Sequence, residues 1–173
     1  MAKKSRLLLL DANVVIELFR QGIWDRLLEC CDVHLSRTIA TTEAHFYEDN
    51  QGQRQDFDLL NYEKSGRITI FDVSLAQDRQ LSQQFGLSYL ERFDPGEREA
   101  LAHMVTSTNP FLICSADSIV FKVLGFLNRP EQGISLEELL QQAGLGRQMP
   151  WQFSKAFRDK YTQEGSVDKV QKT

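Results

Sequence analysis

The stretch LLLLDANVVIELF, residues 7–19, decides the fold, because a short apolar run ends on an aspartate and a helical pattern follows. Four consecutive leucines predict a buried strand over residues 6–10, and the spacing of Val14 and Leu18 predicts the inward face of a helix. An unpaired charge at the edge of a core is costly, so a carboxylate there usually has a partner or a chemical role. Asp11 is therefore the first candidate functional residue.

A second apolar run also leads to an aspartate: PFLIC, residues 110–114, predicts another buried strand, and Asp117 follows it. Strands that are apolar throughout and alternate with helices are typical of a parallel sheet covered on both faces. We therefore expect an α/β fold of three layers, α/β/α, around a central, mainly parallel sheet. The expected strands are 6–10, 33–36, 68–73 and 110–114. The expected helices are 13–22, 23–31, 37–49, 74–87, 94–107, 118–126, 135–143 and 151–162. We expect residues 50–67 to form a loop or a helical insertion, and the tail after Glu164 to fray.

Both aspartates follow the carboxyl ends of predicted parallel strands, which is where α/β sheets place their ligand sites. Two converging carboxylates repel each other, and both ionise comfortably at neutral pH only with a cation between them. A set of oxygen ligands suits a hard ion such as Mg²⁺ or Mn²⁺. Such an ion can activate water for attack on a phosphodiester. Asp11 and Asp117 therefore predict phosphoryl chemistry.

Two further acids can be interpreted in two ways. Glu43 falls in the middle of the predicted helix 37–49, where it faces either solvent or a site. In DPGE, residues 94–97, Glu97 occupies the glutamate position of a capping box, so helix capping alone explains it. Glu99 lies roughly 200° further around the helix and cannot share a face with Glu97.

Taken together, four segments resemble a PIN domain: the strand ending in DANV, the acid that follows SRTIATTE, the GEREAL helix and the final LICSAD. PIN domains are Mg²⁺- or Mn²⁺-dependent nucleases of α/β/α architecture, and bacterial toxin-type, VapC-like ribonucleases are common small members. The resemblance runs from about Leu7 to Leu140. The chain departs from the compact toxins in its extra residues at 50–67 and after about 145, and in carrying glutamate rather than the commoner aspartate as the third acid.

The resemblance implies a set of site residues and partners. The substrate would be RNA or another single-stranded nucleic acid, and an antitoxin-like protein partner and a homodimer are expected possibilities. The metal would be Mg²⁺ or Mn²⁺. The resemblance assigns catalytic and metal-binding roles to Asp11, Glu43, Glu97 and Asp117, and supporting roles to Asn13 and Ser115.

The charge is unevenly distributed along the chain. Residues 1–144 carry 14 basic and 21 acidic side chains, whereas residues 145–173 carry 6 basic and 3 acidic ones. We expect a PIN-like nuclease domain over 1–145, and a C-terminal helix with a basic tail over 146–173 that packs on the domain or binds a partner. In this tail an aromatic residue recurs every four positions, which suits either core packing or contact with RNA: Phe153, Phe157 and Tyr161.

Other classes of protein fit less well. No apolar run reaches the roughly 18 residues that would span a bilayer, so we expect a cytoplasmic protein with no membrane partner. The net charge of −4 argues against a protein that coats nucleic acid through bulk electrostatics. Phosphatases that use a strand-ending aspartate need a second one two residues later, where Asn13 stands. The alternative that stays open is a catalytically silent PIN-like module that binds nucleic acid or protein.

Overall fold

The central sheet of the computed structural model, which describes residues 6–85 and 87–172, has five parallel strands in the order β5-β2-β1-β6-β7. A separate two-stranded antiparallel hairpin is formed by β3 and β4. The strands are β1 (Leu7–Leu10), β2 (Asp32–Ser36), β3 (Phe46–Glu48), β4 (Arg54–Asp56), β5 (Thr69–Phe71), β6 (Leu112–Cys114) and β7 (Gly133–Ile134).

The helices connect the strands and cover the sheet. They are α1 (Ala12–Arg20), α2 (Trp24–Cys30), α3 (Leu59–Lys64), α4 (Leu75–Ser82), α5 (Leu87–Leu90), α6 (Pro95–Thr106), α7 (Ser118–Phe126), α8 (Leu136–Gln142) and α9 (Lys155–Lys172), with a short π-helical turn at Ile39–Glu43. The predicted helix 74–87 includes residue 86, which lies outside the described residues, as do residues 1–5 of the predicted domain and residue 173 of the predicted tail.

The core lies on both faces of the sheet. In β1, Leu8 and Leu10 belong to one hydrophobic cluster, which includes α1, α2 and α8, while Leu9 belongs to the other, which includes α6 and α7. Alternate residues of a strand point to opposite faces, so the four-leucine run supplies both clusters at once. The prediction of an α/β fold with a parallel sheet between helices is confirmed.

The segment after β2 differs from the prediction. The expected helix 37–49 is wrong, because the helical turn ends at Glu43 and the chain enters the β3–β4 hairpin. His-Phe-Tyr, residues 45–47, favours a strand, and the carboxylate of Asp49 accepts the backbone N–H groups of Gln51 and Gln53 in the turn. Residues 50–67 therefore contain β4 and α3.

The C-terminal segment is more helical than predicted. Instead of fraying after Glu164, α9 continues to Lys172 and packs along α7. The two helices approach closely at Gly125 and Gly165, where a Cβ atom would overlap the backbone of the facing helix. Of the aromatic stripe, Phe153 and Phe157 are buried in the two cores.

In the part of the chain that the structure describes, no helix combines the length and apolar character needed to cross a membrane.

Candidate metal centre

The carboxyl edge of the sheet ends in a cleft of about 350 Å³. Three helices begin beside it, because β1 leads into α1, β6 leads into α7, and α6 starts opposite them. The residues that line the cleft are Asp11, Ala12, Asn13, Ile16, Glu43, Asp94 and Glu97. Strand ends and helix starts thus concentrate acids at one edge of the sheet.

Asp11 is held by three hydrogen bonds. Its Oδ2 atom accepts the hydroxyl of Ser115 and the backbone N–H of Ala116 at 3.1 Å, and its Oδ1 atom accepts the N–H of Val14 at 3.0 Å. Burial raises the pKa of the Asp11 carboxyl, these hydrogen bonds lower it, and the charge of Asp117 raises it again. Only Oδ1 keeps a lone pair in the carboxylate plane for a further ligand.

Ser115 links the two strand-ending aspartates. Its buried hydroxyl donates to Asp11 and accepts the backbone N–H of Asp117 at 2.9 Å. Asp117 also accepts the N–H of Ile119 at 3.0 Å, which caps the start of α7. The predicted supporting residue Ser115 therefore contacts both aspartates.

The tightest group of acids is Asp94, Glu97 and Asp117, each of which offers one carboxylate oxygen within 4.8 Å of the other two. Glu97 accepts the backbone N–H of Asp94 at 3.2 Å, as the capping pattern predicts, and its side chain is nonetheless inside the cleft wall, with 4% of the residue exposed. Capping and membership of the acidic group are compatible for this residue.

The electrostatics of Glu97 reflect that crowding. Burial raises the pKa of Glu97 to about 8, and the negative charges of Asp117 and Asp11 contribute to the rise. A carboxylate so placed needs either a proton or a cation near neutral pH. The N-termini of the surrounding helices favour negative charge, but they leave this pKa well above its ordinary value of 4.5.

Glu43 reaches the cleft from the end of the π-helical turn. Its Oε1 atom accepts the N–H of Gly96 at 3.0 Å, in the first turn of α6. Burial raises the pKa of Glu43, and the charges of Asp94, Asp11 and Glu99 add to the rise. A Cβ atom at position 96 would overlap Oε2 of Glu43 and the side chain of Ile39, so an alanine there would force both side chains to move.

The donor set suits a hard divalent cation. All three members of the tight group offer carboxylate oxygen, and no second group of three or more potential ligands is found among the described residues. In an octahedral Mg²⁺ site with ligands at ~2.1 Å, neighbouring oxygens lie ~3.0 Å apart and opposite ones ~4.2 Å apart. A limit of 4.8 Å is close enough for small side-chain adjustments to reach that geometry.

The predicted residues occupy different places in this site. The four predicted acids, Asp11, Glu43, Glu97 and Asp117, all belong to one interacting group of charges at the carboxyl edge of the sheet. Asn13 is exposed on the cleft wall, and no hydrogen bond joins its amide to an acid in the described part of the chain.

Asp94 is the residue that sequence reasoning missed as a possible ligand. Its position before Pro95 suggested a helix cap and nothing more. The available signal was its spacing from Glu97, because residues at the start and the end of a capping box lie on the same side of the helix.

Comparison of the chain with models of known protein families found no match, and comparison with curated protein sequences found none either.

Proposed function

We propose that this chain is a metal-dependent nuclease, most simply a ribonuclease, that hydrolyses phosphodiester bonds with Mg²⁺ or Mn²⁺. The observation that carries the proposal is the group Asp94, Glu97 and Asp117, whose carboxylate oxygens lie within 4.8 Å of one another although Glu97 is almost fully buried. Placing three acids there is unfavourable without a cation. The resemblance to PIN domains favours the same metals and a nucleic-acid substrate.

In this proposal each residue has a separate role. Asp94, Glu97 and Asp117 would hold the ion, and the charge of Asp11, which acts on Glu97, would add to the attraction for it. Ser115 keeps Asp11 and Asp117 in register through its two hydrogen bonds. A bound Mg²⁺ or Mn²⁺ supplies charge stabilisation at a phosphate and lowers the pKa of a coordinated water.

Glu43 and Asn13 form the outer part of the site. Glu43 lies 53 residues before Gly96 in the chain, so its contact with the N–H of Gly96 ties the π-helical turn to α6. Asn13 is exposed beside it and offers both a donor and an acceptor to a substrate. RNA as substrate and a cytoplasmic setting belong to the proposal, and the antitoxin-like partner and homodimer stay predictions from the resemblance.

The test is cleavage of 5′-labelled RNA and DNA oligonucleotides at limiting Mn²⁺, with calorimetric titration of Mn²⁺ as a second readout. Wild-type protein should cleave with metal and stop with chelator. Glu97→Gln and Asp117→Asn should keep the fold, weaken Mn²⁺ binding and slow cleavage by about 100-fold or more. Glu29→Gln, on the exposed face of α2, is the matched control and should behave as wild type.

Glu99 is unsuitable as that control. Although it lies on a different helical face from Glu97, its carboxylate accepts the hydroxyl of Thr38 at 2.7 Å, and its charge acts on Glu43. A change at Glu99 would therefore alter the outer part of the site as well.

A second candidate function is a catalytically silent binding module. The observation that favours it is that each predicted acid accepts a backbone N–H at or beside a helix start, so each has a structural role without a metal. Under this alternative, Glu97→Gln would be nearly harmless, since glutamine also serves in a capping box. Intact oligonucleotide after incubation with Mn²⁺, together with no calorimetric signal for Mn²⁺, would overturn the nuclease proposal in favour of the module.

A further inference from the structure

The β3–β4 hairpin stands next to the acidic cleft but takes no part in the central sheet. It begins at Phe46, three residues after Glu43, and it packs against α1, whose first turn lines the cleft. Three residues of extended chain span at most ~10 Å. A ligand that extends from the cleft past Glu43 therefore comes within reach of the hairpin.

One face of the hairpin carries an oriented guanidinium group. Arg54 pairs with Glu48 in the ladder, yet its guanidinium carbon lies 4.1 Å from the ring centroid of Phe46, nearer to the cleft end of the hairpin. The carboxylate of Asp56 accepts the Nε–H of Arg54 at 2.7 Å. Stacking below and an ion pair at its edge thus fix the plane of the guanidinium.

The other side of this plane is open. The Arg54 side chain is 57% exposed, and the exposed ring of His45 meets Phe46 edge-on, with centroids 5.1 Å apart. An arginine plane with one free face, beside aromatic rings, is a surface on which an unpaired nucleobase can stack.

The charge of this face favours a base over a phosphate. Asp56 neutralises Arg54, and Glu48 lies on the same face, so the hairpin offers no net attraction for an anion. Stacking depends on the planar surface rather than on net charge, and it survives this neutralisation.

We propose that Arg54, supported by Phe46 and flanked by His45, is a stacking platform for an unpaired nucleobase of a single-stranded substrate. The inference rests on the proposed nuclease function, and it adds a base-binding subsite to that site: one unpaired base of the strand lies flat on the hairpin. Duplex substrates, whose bases are already stacked within the helix, do not use it.

The experiment measures binding and cleavage separately. Binding is followed by fluorescence of a single-stranded RNA oligonucleotide carrying 2-aminopurine, in chelator so that no cleavage occurs, and by KM and kcat with Mn²⁺. Arg54→Ala and Arg54→Lys should both raise Kd and KM by about tenfold and leave kcat largely unchanged. Lysine keeps the charge and loses the plane, so the pair distinguishes stacking from phosphate contact.

Arg67→Ala is the matched control. Arg67 also has its guanidinium over an aromatic ring, 5.3 Å from the centroid of Tyr62, and also pairs with an aspartate, Asp25, but it follows α3 and does not belong to the hairpin that begins beside Glu43. This variant should bind and cleave as wild type.

The outcomes separate the platform from the nuclease proposal. Wild-type binding by Arg54→Ala, or full retention of binding by Arg54→Lys, overturns the platform while cleavage by the wild type upholds the nuclease. Binding that depends on Arg54, from a protein that never cleaves, supports the platform and rejects the nuclease. No binding and no cleavage by the wild type overturns both.

Discussion

At the scale of single residues, Asp11 differs from the other acids of the cleft in how many donors it already satisfies. The hydroxyl of Ser115 and the N–H groups of Ala116 and Val14 all point at its carboxylate. Asp11 therefore has a structural role that does not depend on a metal, because its hydrogen bonds join the end of β1 to the loop after β6. Removing it leaves buried donors without an acceptor, which is costly.

Asp11→Ala should lower the free energy of unfolding by about 2–4 kcal/mol, because several buried donors lose their acceptor together. Asp58→Ala is the control, since Asp58 is an exposed cap whose carboxylate accepts the N–H of Leu60, and about 1 kcal/mol is expected there. Urea unfolding in chelator measures both. Equal losses for the two variants would show that the hydrogen bonds of Asp11 add nothing beyond ordinary capping.

At the scale of elements, the junction between the π-helical turn and α6 depends on the absence of a side chain at Gly96. An alanine would favour the helix slightly, but its Cβ atom would overlap Glu43 and Ile39. Gly96→Ala should therefore displace Glu43, weaken Mn²⁺ binding about tenfold and lower the free energy of unfolding by about 1–3 kcal/mol. Calorimetric titration and urea unfolding measure the two effects.

Gly146→Ala is the control for that experiment, because a Cβ atom there would meet only ordinary contacts of 3.6 Å or more. It should change the free energy of unfolding by less than about 1 kcal/mol and leave Mn²⁺ affinity unchanged. If both alanine variants bind Mn²⁺ as wild type does, the position of Glu43 does not matter to the metal.

The C-terminal helix is a second element whose role can be tested. Phe157 is buried, and its ring meets Phe121 of α7 at 6.1 Å between centroids, whereas Trp151, just before the helix, is 54% exposed. Phe157→Ala should cost about 3–5 kcal/mol of folding free energy, and Trp151→Ala about 1 kcal/mol or less. Thermal and urea unfolding measure both losses. A small loss for Phe157→Ala would contradict the packing role of the aromatic stripe and favour a role in binding.

At the scale of the whole molecule, folding stability should depend on pH through the acidic cleft. The pKa of Glu97 is raised from 4.5 to about 8, so between those values the folded protein holds a proton that the unfolded chain has lost. The free energy of unfolding then falls as pH rises through that window, by up to ~1.4 kcal/mol for each pH unit. Burial raises the pKa values of Asp11 and Glu43 as well, which acts in the same direction.

Urea unfolding in chelator should therefore give a lower free energy at about pH 9 than at about pH 6, and Glu97→Gln should flatten the difference. Mn²⁺ should stabilise the wild type most at the higher pH, since it replaces the proton as the partner of the acids. A metal-free wild type that gains stability toward pH 9 would contradict both the direction of the Glu97 shift and its cause.

The parts of the fold that could be predicted are those whose sequence patterns lie within one short segment. The buried strands at 7–10 and 112–114 are short apolar runs, and their trailing acids Asp11 and Asp117 had to meet once the sheet was parallel. The end of the helical turn at Glu43 had only a weak local signal in residues 45–47, because the hairpin that replaces the helix packs against α1, far from it in sequence. Asp94 was missed because capping explained it completely.

The position of β1 also determines when both of its edges can be paired during synthesis of the chain. β1 is made before the other four strands of the described sheet, yet it lies in the middle of that sheet, with Leu8 paired to Val33 on one side and to Leu112 on the other. At the ~5–20 residues per second of a ribosome, roughly 4–16 s separate the making of these two partners. Until then one edge of β1 is open and Asp117 does not exist, so a growing chain cannot bring the acids together before residue 117 has been made.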